Sequence, residues 1–255
     1  MNAAEAPAGS NPGAREASLE RQLAEARQEL ESFTYSVSHD LKSPLHTIKG
    51  FVEIVLEDLA VGRTQSTRDD LLRVREAADI LQGQLETILE LSRLGRSTLE
   101  PQHMPVAELW ERVRRRWAPV FECVGGRLEL AGSARSVWCD PAKFSALLDH
   151  LLDNALSFRR PEQPLQVQLL LDEEGASLKG QVRDNGRGVP AEHLERIFDL
   201  FRKLNPETRG RGVGLSFARK LVALHGGRIR AESGGLGTGL CIHFELPLAA
   251  GRARE

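Results

Sequence analysis

Residues 33–51 read FTYSVSHDLKSPLHTIKGF, and the apolar pattern that leads into this stretch decides the fold of the N-terminal part of the chain. Apolar side chains recur there in alternating steps of four and three. This is the heptad spacing of a helix that packs along a partner helix. The seam positions are Leu19, Leu23, Ala26, Leu30, Phe33 and Val37. The pattern therefore predicts a long helix with one apolar seam that must be covered.

A second segment repeats this rhythm after a break at residues 60–68, which contains Gly62 and several small polar residues. Its apolar positions are Leu71, Val74, Ala78, Leu81, Leu85 and Ile88. The two segments predict an antiparallel helical hairpin. A two-helix hairpin buries only one narrow stripe on each helix, so pairing two hairpins into a four-helix bundle covers both seams. The chain is therefore predicted to form a homodimer.

Within the first helix, His39 lies outside the apolar seam, at heptad position c, and is expected to face solvent. A lone exposed histidine is usually an ordinary surface residue. Here Asp40 follows directly, and a carboxylate beside an imidazole can orient the ring, hold one tautomer and help to remove its proton. Pro44 cannot donate a backbone hydrogen bond and predicts a bend close to His39, because the apolar spacing resumes beyond it.

The periodicity changes after residues 95–105, where helical and strand-like segments begin to alternate. One helical stripe consists of Phe144, Leu147, Leu148, Leu151, Leu152 and Ala155. Strand-like runs lie at residues 127–130, 136–139, 165–171, 177–183, 228–232 and 240–246. Because the strands are not separated by one helix each, a mixed sheet with helices on one face is favoured over a doubly wound sheet. The predicted fold class is α + α/β: a helical hairpin followed by an α/β sandwich.

Three polar residues, His150, Asn154 and Ser157, share one face of the helix that carries this stripe. The amide oxygen of Asn154 suits Mg²⁺, which keeps several waters and binds nucleotide phosphates without a full protein cage. The alternative is an asparagine that only caps or solvates the helix. The segment is therefore a candidate for one wall of a nucleotide site.

Two glycine-rich segments follow. Residues 183–190, RDNGRGVP, end a predicted strand. The carboxylate of Asp184 can accept a hydrogen bond from an exocyclic amine, while Gly186 and Gly188 let the backbone approach a flat base. A plain turn is the alternative. Residues 210–215, GRGVGL, precede a helix, and N–H groups at a helix start can hold phosphates.

The composition narrows the function classes. The 34 basic and 36 acidic residues give a net charge of −2, which provides no general attraction for nucleic acid. No apolar run approaches the ~18 residues of a membrane-spanning helix, and the N-terminus lacks the apolar stretch of a signal peptide. A cytoplasmic chain without membrane insertion is therefore expected. Three distant cysteines argue against a disulfide frame, and the absence of GxxxxGK[ST] and HRD…DFG motifs argues against P-loop enzymes and serine, threonine and tyrosine kinases.

Residues 38–45, SHDLKSPL, resemble the phosphoacceptor box of sensor histidine kinases, the enzymes of bacterial two-component systems. Further segments resemble the nucleotide-binding boxes of this family, in the family's order. They are the N box at 149–160, the G1 box at 183–190, the F box at 197–203 and the G2 box at 210–215. The short lid at 204–209 is similar to that of phytochrome-type kinases. The resemblance implies a Bergerat-type ATP-binding fold for the second domain.

The resemblance also implies roles for individual residues. His39 would be the phosphorylated nucleophile, Asp40 its acidic helper, and Ser43 the residue that positions water to dephosphorylate a partner. Asn154 would bind Mg²⁺, and Asp184 would bind the adenine amine of ATP. Further nucleotide contacts are implied for Gly186, Gly188, Lys203, Gly210, Gly212 and Gly214. The chain departs from the family pattern at His150, Ser157 and Arg211, where Asn, Lys and Thr are usual.

Taken with the resemblance, the predicted function is an ATP-dependent histidine autokinase. It would phosphorylate its own His39 and relay the group to an aspartate of a separate response regulator, with dephosphorylation of that regulator as a second expected activity. Its input would come from an upstream sensor partner. The alternative is a catalytically weak dimeric module that binds nucleotide, or a receiver phosphatase. The predicted organisation is a disordered arm at 1–15, a dimerisation and phosphoacceptor domain at 16–97, a linker at 98–105, an ATP-binding domain at 106–248 and a tail at 249–255.

Overall fold

The computed structural model describes residues 12–63, 66–204 and 212–248. Two helices come first: α1 spans Pro12–Ala60 and α2 spans Thr67–Arg96. They run antiparallel, since the guanidinium of Arg73 on α2 lies 5.1 Å from the ring centroid of Phe51 on α1. Helix α1 continues through Pro44, so the proline does not break the helix.

The predicted disordered arm needs a correction, because its residues 12–15 already belong to α1. Pro12 suits the first turn of a helix, where its missing N–H has no partner to lose, and the alanines and arginine that follow favour helix. Residues 1–11 and the predicted tail at 249–255 lie outside the described residues. The side chains of seam positions Leu19 to Phe33 also lie outside the description.

The hairpin buries one stripe of each helix and leaves another exposed. Pro44 and Val55 on α1, and Ala77, Thr87 and Leu91 on α2, are buried between the helices or against the following domain. Two further stripes with heptad spacing are exposed in the single chain: Leu45, Val52 and Leu59 on α1, and Leu71, Ala78 and Leu85 on α2. The predicted α2 seam is thus divided between an internal face and an exposed face.

The remaining elements build an α/β domain. Its helices are α3 (Val106–Cys123), α4 (Pro141–Ser157) and α5 (Gly214–Leu224), with short 3₁₀ turns at Ala191–His193 and Arg196–Phe198. Its strands are β1 (Gln102–Pro105), β2 (Arg127–Ala131), β3 (Ser136–Cys139), β4 (Gln166–Glu174), β5 (Ser177–Asp184), β6 (Arg228–Glu232) and β7 (Cys241–Pro247).

The main sheet has the order β2-β4-β5-β7-β6. Strand β2 is parallel to β4, whereas the other neighbouring pairs are antiparallel, so the predicted mixed sheet is confirmed. Strands β1 and β3 form a separate antiparallel pair. The predicted linker at 98–105 is therefore too long, because a strand of four residues gives too short a pattern to recognise until its partner is known.

The core lies between one face of this sheet and the helices. Burial alternates along β4 and β5, as expected for a sheet with one covered face. Every residue of the predicted stripe on α4 is buried. On α3 the buried stripe includes Val113, Trp117 and Phe121, whereas Val120 is 38% exposed. Among the described residues, none of the helices has the length and apolarity needed to cross a bilayer.

Candidate functional site

The first candidate group is His39, which stands on the outer surface of α1. Its side chain is 72% exposed, and its Nδ1 lies 3.0 Å from Oδ1 of Asp40. A carboxylate accepts, so Nδ1 carries the proton in this pair and the lone pair of Nε2 faces solvent. The imidazole is therefore oriented as an exposed nucleophile, and the neighbouring carboxylate selects the tautomer.

Ser43 lies one turn further along α1 and is also exposed. Its carbonyl oxygen accepts a hydrogen bond from Oγ1 of Thr47 at 3.2 Å. This is the common back-bond of a helical threonine to the carbonyl four residues earlier, whereas the carbonyl that Pro44 leaves without its helical N–H donor is that of Asp40. The hydroxyl of Ser43 shares the outer surface with His39.

Helix α4 carries the second candidate group. Its N-cap is Asp140, whose carboxylate accepts from the backbone N–H groups of Ala142 and Lys143, each at 3.1 Å, and Pro141 occupies the first turn. The apolar stripe of α4 turns towards the sheet, so Asn154 is left half-buried at the edge of the core. The amide of Asn154 can therefore contact a ligand while the buried apolar stripe of α4 keeps its packing against the sheet.

Asp184 ends β5 beside α4. Its Oδ1 accepts the backbone N–H of Gly186 at 2.7 Å and that of Leu240 at 3.2 Å. Burial raises the pKa of the Asp184 carboxyl to about 6, although these two hydrogen bonds act in the opposite direction. Near neutral pH the group is mostly an ionised acceptor in a dry site, which suits recognition of an N–H donor.

The glycines around Asp184 are needed by the protein's own backbone. A Cβ on Gly186 would lie 2.7 Å from the carbonyl oxygen of Phe158, at the end of α4. Gly188 has a positive φ of 69°, and a Cβ there would collide with the carbonyl oxygen of Gly235. These two glycines are therefore required because the neighbouring backbone leaves no room for a side chain. The sequence pattern did not predict this requirement.

The third group is the start of α5. Gly214 is its first residue, and a Cβ there would lie 3.7 Å from the carbonyl oxygen of His150 on α4. Gly212 just before it has φ 70°. The N–H groups of this first turn form the positive end of the helix dipole. Gly210 and Arg211 lie outside the described residues, and Lys203 lies half-buried before that gap.

These elements meet around Asn154. One turn before it, His150 lies against α5, both at Gly214 and through a stacked ring contact of 5.0 Å with Phe217. One turn after it, the carbonyl oxygen of Phe158 accepts the N–H of Arg187 at 3.0 Å, which brings in the loop that follows Asp184. Asn154 thus lies between the loop that follows Asp184 and the start of α5, an arrangement that suits a nucleotide site.

The helical hairpin packs against the same region of the α/β domain. Leu91 on α2, Leu200 and Phe217 form a buried cluster, which we call the interdomain cluster. Partly buried apolar residues pack around it: Val37, Ile88, Leu94, Phe201 and Val213. The helix that carries His39 is therefore held next to the predicted F and G2 boxes, an arrangement that the sequence motifs did not predict.

The donor set fits a weakly held, hard cation rather than a dedicated metal cage. Within the described ranges, no group of three His, Cys, Asp or Glu side chains is placed to bind a metal ion. Mg²⁺ needs no such cage when phosphates and water complete its coordination, and a single amide such as that of Asn154 meets this requirement.

Comparison with protein families gives two matches. The model of the His Kinase A (phospho-acceptor) domain matches residues 29–97. The model of the histidine kinase-, DNA gyrase B- and HSP90-like ATPases matches residues 139–250. The first covers the hairpin with His39, and the second covers α4, the Asp184 loop and α5.

Individual relatives agree with these matches. The chain is 35% identical over 219 residues to the methanogenesis regulatory histidine kinase FilI of Methanothrix harundinacea, covering 86% of this chain and 25% of the relative. It is 29% identical over 233 residues to cyanobacterial phytochrome B of Nostoc, covering 90% of this chain and 31% of the relative. The chain therefore spans about a quarter to a third of the length of these curated relatives.

Solved structures share the fold. Histidine kinase ThkA, in a complex with response regulator protein TrrA, aligns with a TM-score of 0.61 at 20% identity, covering 94% of this chain and 68% of that one. Full-length ShkA, in a complex with AMPPNP, aligns with a TM-score of 0.56 at 26% identity, covering 88% and 46%. With a family match over each domain and a shared fold, the chain carries the core of a sensor histidine kinase, a phospho-acceptor domain followed by a domain of the histidine kinase-, DNA gyrase B- and HSP90-like ATPases.

Proposed function

We propose that the chain is an ATP-dependent kinase that phosphorylates its own His39 and passes the phosphoryl group to an aspartate on a separate receiver protein. The observation that carries the proposal is the state of His39: exposed, and bonded through Nδ1 to Asp40. It stands on a helix that packs against a domain of the ATPase family. A structural histidine would need neither the exposure nor the oriented tautomer.

The proposed chemistry at His39 is an in-line displacement. The Nε2 lone pair of the neutral imidazole attacks the γ-phosphorus of ATP, a P–N bond forms, the bond to the bridging oxygen breaks, and ADP leaves. The ring gains positive charge as the bond forms, and Asp40 stabilises that charge and accepts the Nδ1 proton. The phosphoramidate has a labile P–N bond, which suits onward transfer to a carboxylate.

On the nucleotide side, we assign Asp184 to the adenine amine, and the N–H groups of Gly212, before α5, and of Gly214, its first residue, to the phosphates. Lys203 and the glycine at 210 belong to the same proposed phosphate contacts, together with Gly186 and Gly188 near the base. Mg²⁺, held by Asn154 and the phosphates, would neutralise the charge that develops during transfer. The loop that follows Asp184 and the start of α5 both border the turns of α4 on either side of Asn154.

Transfer requires the α/β domain to move. Val37 faces the interdomain cluster, and His39 lies two residues further on, roughly 200° around the helix. In the arrangement described here, the docked domain therefore lies on a different side of α1 from the nucleophile. The docked arrangement is accordingly assigned to a resting state, and release from the interdomain cluster precedes transfer.

Two partners belong to the proposal. A second copy of the chain would cover the exposed heptad stripes of the hairpin, since a four-helix bundle buries both seams. A receiver protein would approach the outer surface of α1, where His39 and Ser43 are exposed. There Ser43 would position the water that removes the phosphoryl group from the receiver.

A second candidate function has specific support. His150 and Ser157 stand where the family usually has Asn and Lys, and the His150 ring is occupied by stacking on Phe217. A dimeric module that binds nucleotide with little transfer, or a receiver phosphatase acting through Ser43, would tolerate these residues. The two functions differ in whether phosphate becomes covalently attached.

Incubation with γ-labelled ATP distinguishes them. The kinase predicts acid-labile, alkali-stable label that disappears in His39→Gln and persists in His46→Gln, a matched change at an exposed histidine on the same helix. Nucleotide binding without label in the wild-type chain contradicts the kinase and favours the binding module. Label that persists in His39→Gln contradicts the assignment of His39.

A further inference from the structure

The segment between the two domains is held by a buried ion pair on α4. Oδ2 of Asp140 accepts the backbone N–H of Glu100 at 3.2 Å and Nζ of Lys143 at 2.7 Å. Nζ of Lys143 also donates to the carbonyl oxygen of Thr98 at 3.0 Å. We call the group formed by Thr98, Glu100, Asp140 and Lys143 the linker clamp. It attaches the start of the interdomain segment to the first turn of the helix that carries Asn154.

The charged pair of the linker clamp is largely buried, and the clamp is anchored on a second helix. The Asp140 side chain is 7% exposed and that of Lys143 is 19% exposed. The backbone N–H of Asp140 donates to Nε2 of His225 at 3.2 Å, and Nδ1 of His225 donates to the carbonyl oxygen of Leu221 at 2.7 Å. The clamp therefore joins α4, the end of α5 and the interdomain segment in one hydrogen-bonded unit.

Charge strengthens the clamp. Burial raises the pKa of Asp140, but hydrogen bonds from Lys143 and from the backbone of Glu100 outweigh it, and the net pKa lies below the ordinary value. The carboxylate is therefore ionised at neutral pH. Hydrogen bonds between charged groups are stronger than neutral ones, and salt screens a largely buried pair less than an exposed one.

On the side of the hairpin, Ser97 caps the C-terminus of α2. Its N–H and its Oγ both donate to the carbonyl oxygen of Leu94, at 3.1 and 2.8 Å. The next residue, Thr98, is bound through its carbonyl oxygen to the linker clamp. Ser97 is thus hydrogen-bonded to α2, and the carbonyl of Thr98 is hydrogen-bonded to the linker clamp. The backbone between these two groups connects the two domains.

We propose that Lys143 is a positioning residue, which makes residues 98–100 part of the α/β domain and confines rotation between the domains to the backbone at Ser97 and Thr98. This inference rests on the proposed kinase function, since it concerns delivery of phosphate to His39. A short pivot limits the positions that the moving domain samples, and so raises its effective concentration near the hairpin. A longer free segment disperses the domain and slows transfer.

The test compares Lys143→Met with Lys143→Arg, and with Lys179→Met as the matched control. Lys179 is an exposed lysine of the same domain and is ion-paired with Glu174 on the main sheet. Autophosphorylation is followed in the full chain over a range of ATP concentrations, together with thermal melting. Lys143→Met should lower the maximal rate by about 3- to 10-fold with the KM for ATP unchanged, as expected when a tether lengthens. Lys143→Arg should recover most of the rate, and Lys179→Met should match the wild type.

Hydrogen exchange provides a readout that does not depend on catalysis. The amides of residues 98–101 should exchange faster in Lys143→Met than in the wild type, because their segment is no longer bound to α4. A weaker affinity for ATP together with a lower melting temperature in Lys143→Met would assign the lysine a general structural role and overturn the proposal. Equal exchange in the two proteins overturns it as well.

The failures of the two proposals are distinguishable. If the wild-type chain labels His39 and Lys143→Met labels it at the same maximal rate, the positioning role is wrong and the kinase stands. If the wild-type chain takes no label, the kinase proposal fails. Hydrogen exchange then decides whether the clamp restrains the joint.

Discussion

At the scale of single residues, Asp184 shows how a binding group can reduce the stability of the fold that holds it. Its carboxyl is buried, and burial raises its pKa from an ordinary value of 3.8 to about 6. The native state therefore binds this proton more tightly than the unfolded chain does. The contribution of Asp184 to stability is largest below pH 3.8 and is lost as the pH rises through about 6.

The change Asp184→Asn should separate stability from binding. An amide keeps an oxygen that accepts from Gly186 and Leu240, but carries no charge to desolvate. At pH 8 we expect the free energy of unfolding of the α/β domain to rise by about 1–3 kcal/mol, and we expect this gain to vanish near pH 4. Urea unfolding at several pH values measures it.

Nucleotide binding by the same variant should be lost, because an amide cannot supply the ionised acceptor proposed for the adenine amine. Asp172→Asn is the control: that carboxyl is exposed, and hydrogen bonds from Ser133 lower its pKa, so no gain in stability is expected at high pH. Full nucleotide affinity in Asp184→Asn would contradict the assignment of this residue.

At the scale of elements, the contact between the hairpin and the α/β domain depends on few side chains. The interdomain cluster has three buried members: Leu91 from α2, Leu200 from the predicted F box and Phe217 from α5. Around them the packing residues Val37, Phe201 and Val213 come from α1, the predicted F box and the predicted G2 box. A small apolar contact of this kind holds two domains together reversibly.

Leu91→Ser should release the docked arrangement. Removing a buried leucine side chain costs about 2–4 kcal/mol, enough to shift a two-state equilibrium at least tenfold. We expect a larger radius of gyration by small-angle X-ray scattering and faster autophosphorylation at saturating ATP.

Ile80→Ser on the same helix is the matched control, because Ile80 is 53% exposed and lies outside the cluster. An unchanged radius of gyration and rate in Leu91→Ser would show that the cluster does not hold the resting state.

At the scale of the whole molecule, the described part of the hairpin leaves many large apolar side chains exposed. Two stripes with heptad spacing face solvent in the single chain, with Val52 in the centre of the α1 stripe. The last turns of α1 and the turn that follows add further exposed apolar residues, including Leu56 and Val61. Extended apolar stripes on a helical pair are typical of an association surface, and a second copy of the chain presents a surface of the same shape.

Val52→Glu should convert the proposed dimer to a monomer, because a carboxylate at the centre of a four-helix seam has no partner there. Ile54→Glu is the matched control on the same helix: Ile54 is 45% exposed but lies roughly 200° around α1 from Val52. Sedimentation velocity measures the mass of both variants. A Val52→Glu chain that still sediments as a dimer would contradict this seam.

Most of the elements, and several of the side-chain environments, could be predicted from local patterns. The stripe on α4 and the alternation along the strands repeat within one element, so the period alone identifies the buried face. The same reasoning was less accurate at boundaries: α1 begins at Pro12, and the predicted linker contains β1. A helix end or a four-residue strand has too few repeats to show a period.

For the candidate site as well, the sequence predicted some features and not others. The exposure of His39 follows from its place outside the heptad seam, and the order of the glycine-rich segments was readable from the chain. The carbonyl oxygens that exclude a side chain at Gly186 and Gly188 were not, since they belong to distant parts of the chain. Their identity depends on how the loops close.

The sequence by itself determined which segments are helix or strand, which face of each is apolar and that the imidazole of His39 lies outside the apolar seam, because the apolar pattern repeats every two or 3.6 residues. Only the tertiary structure decided that Glu100 and Thr98 are bound to Asp140 and Lys143, that β1 pairs with β3, and that α5 docks against α2. The reason is physical: these contacts join residues far apart in the chain, and their partners are chosen by packing and by the need to satisfy buried polar groups, which no local period encodes.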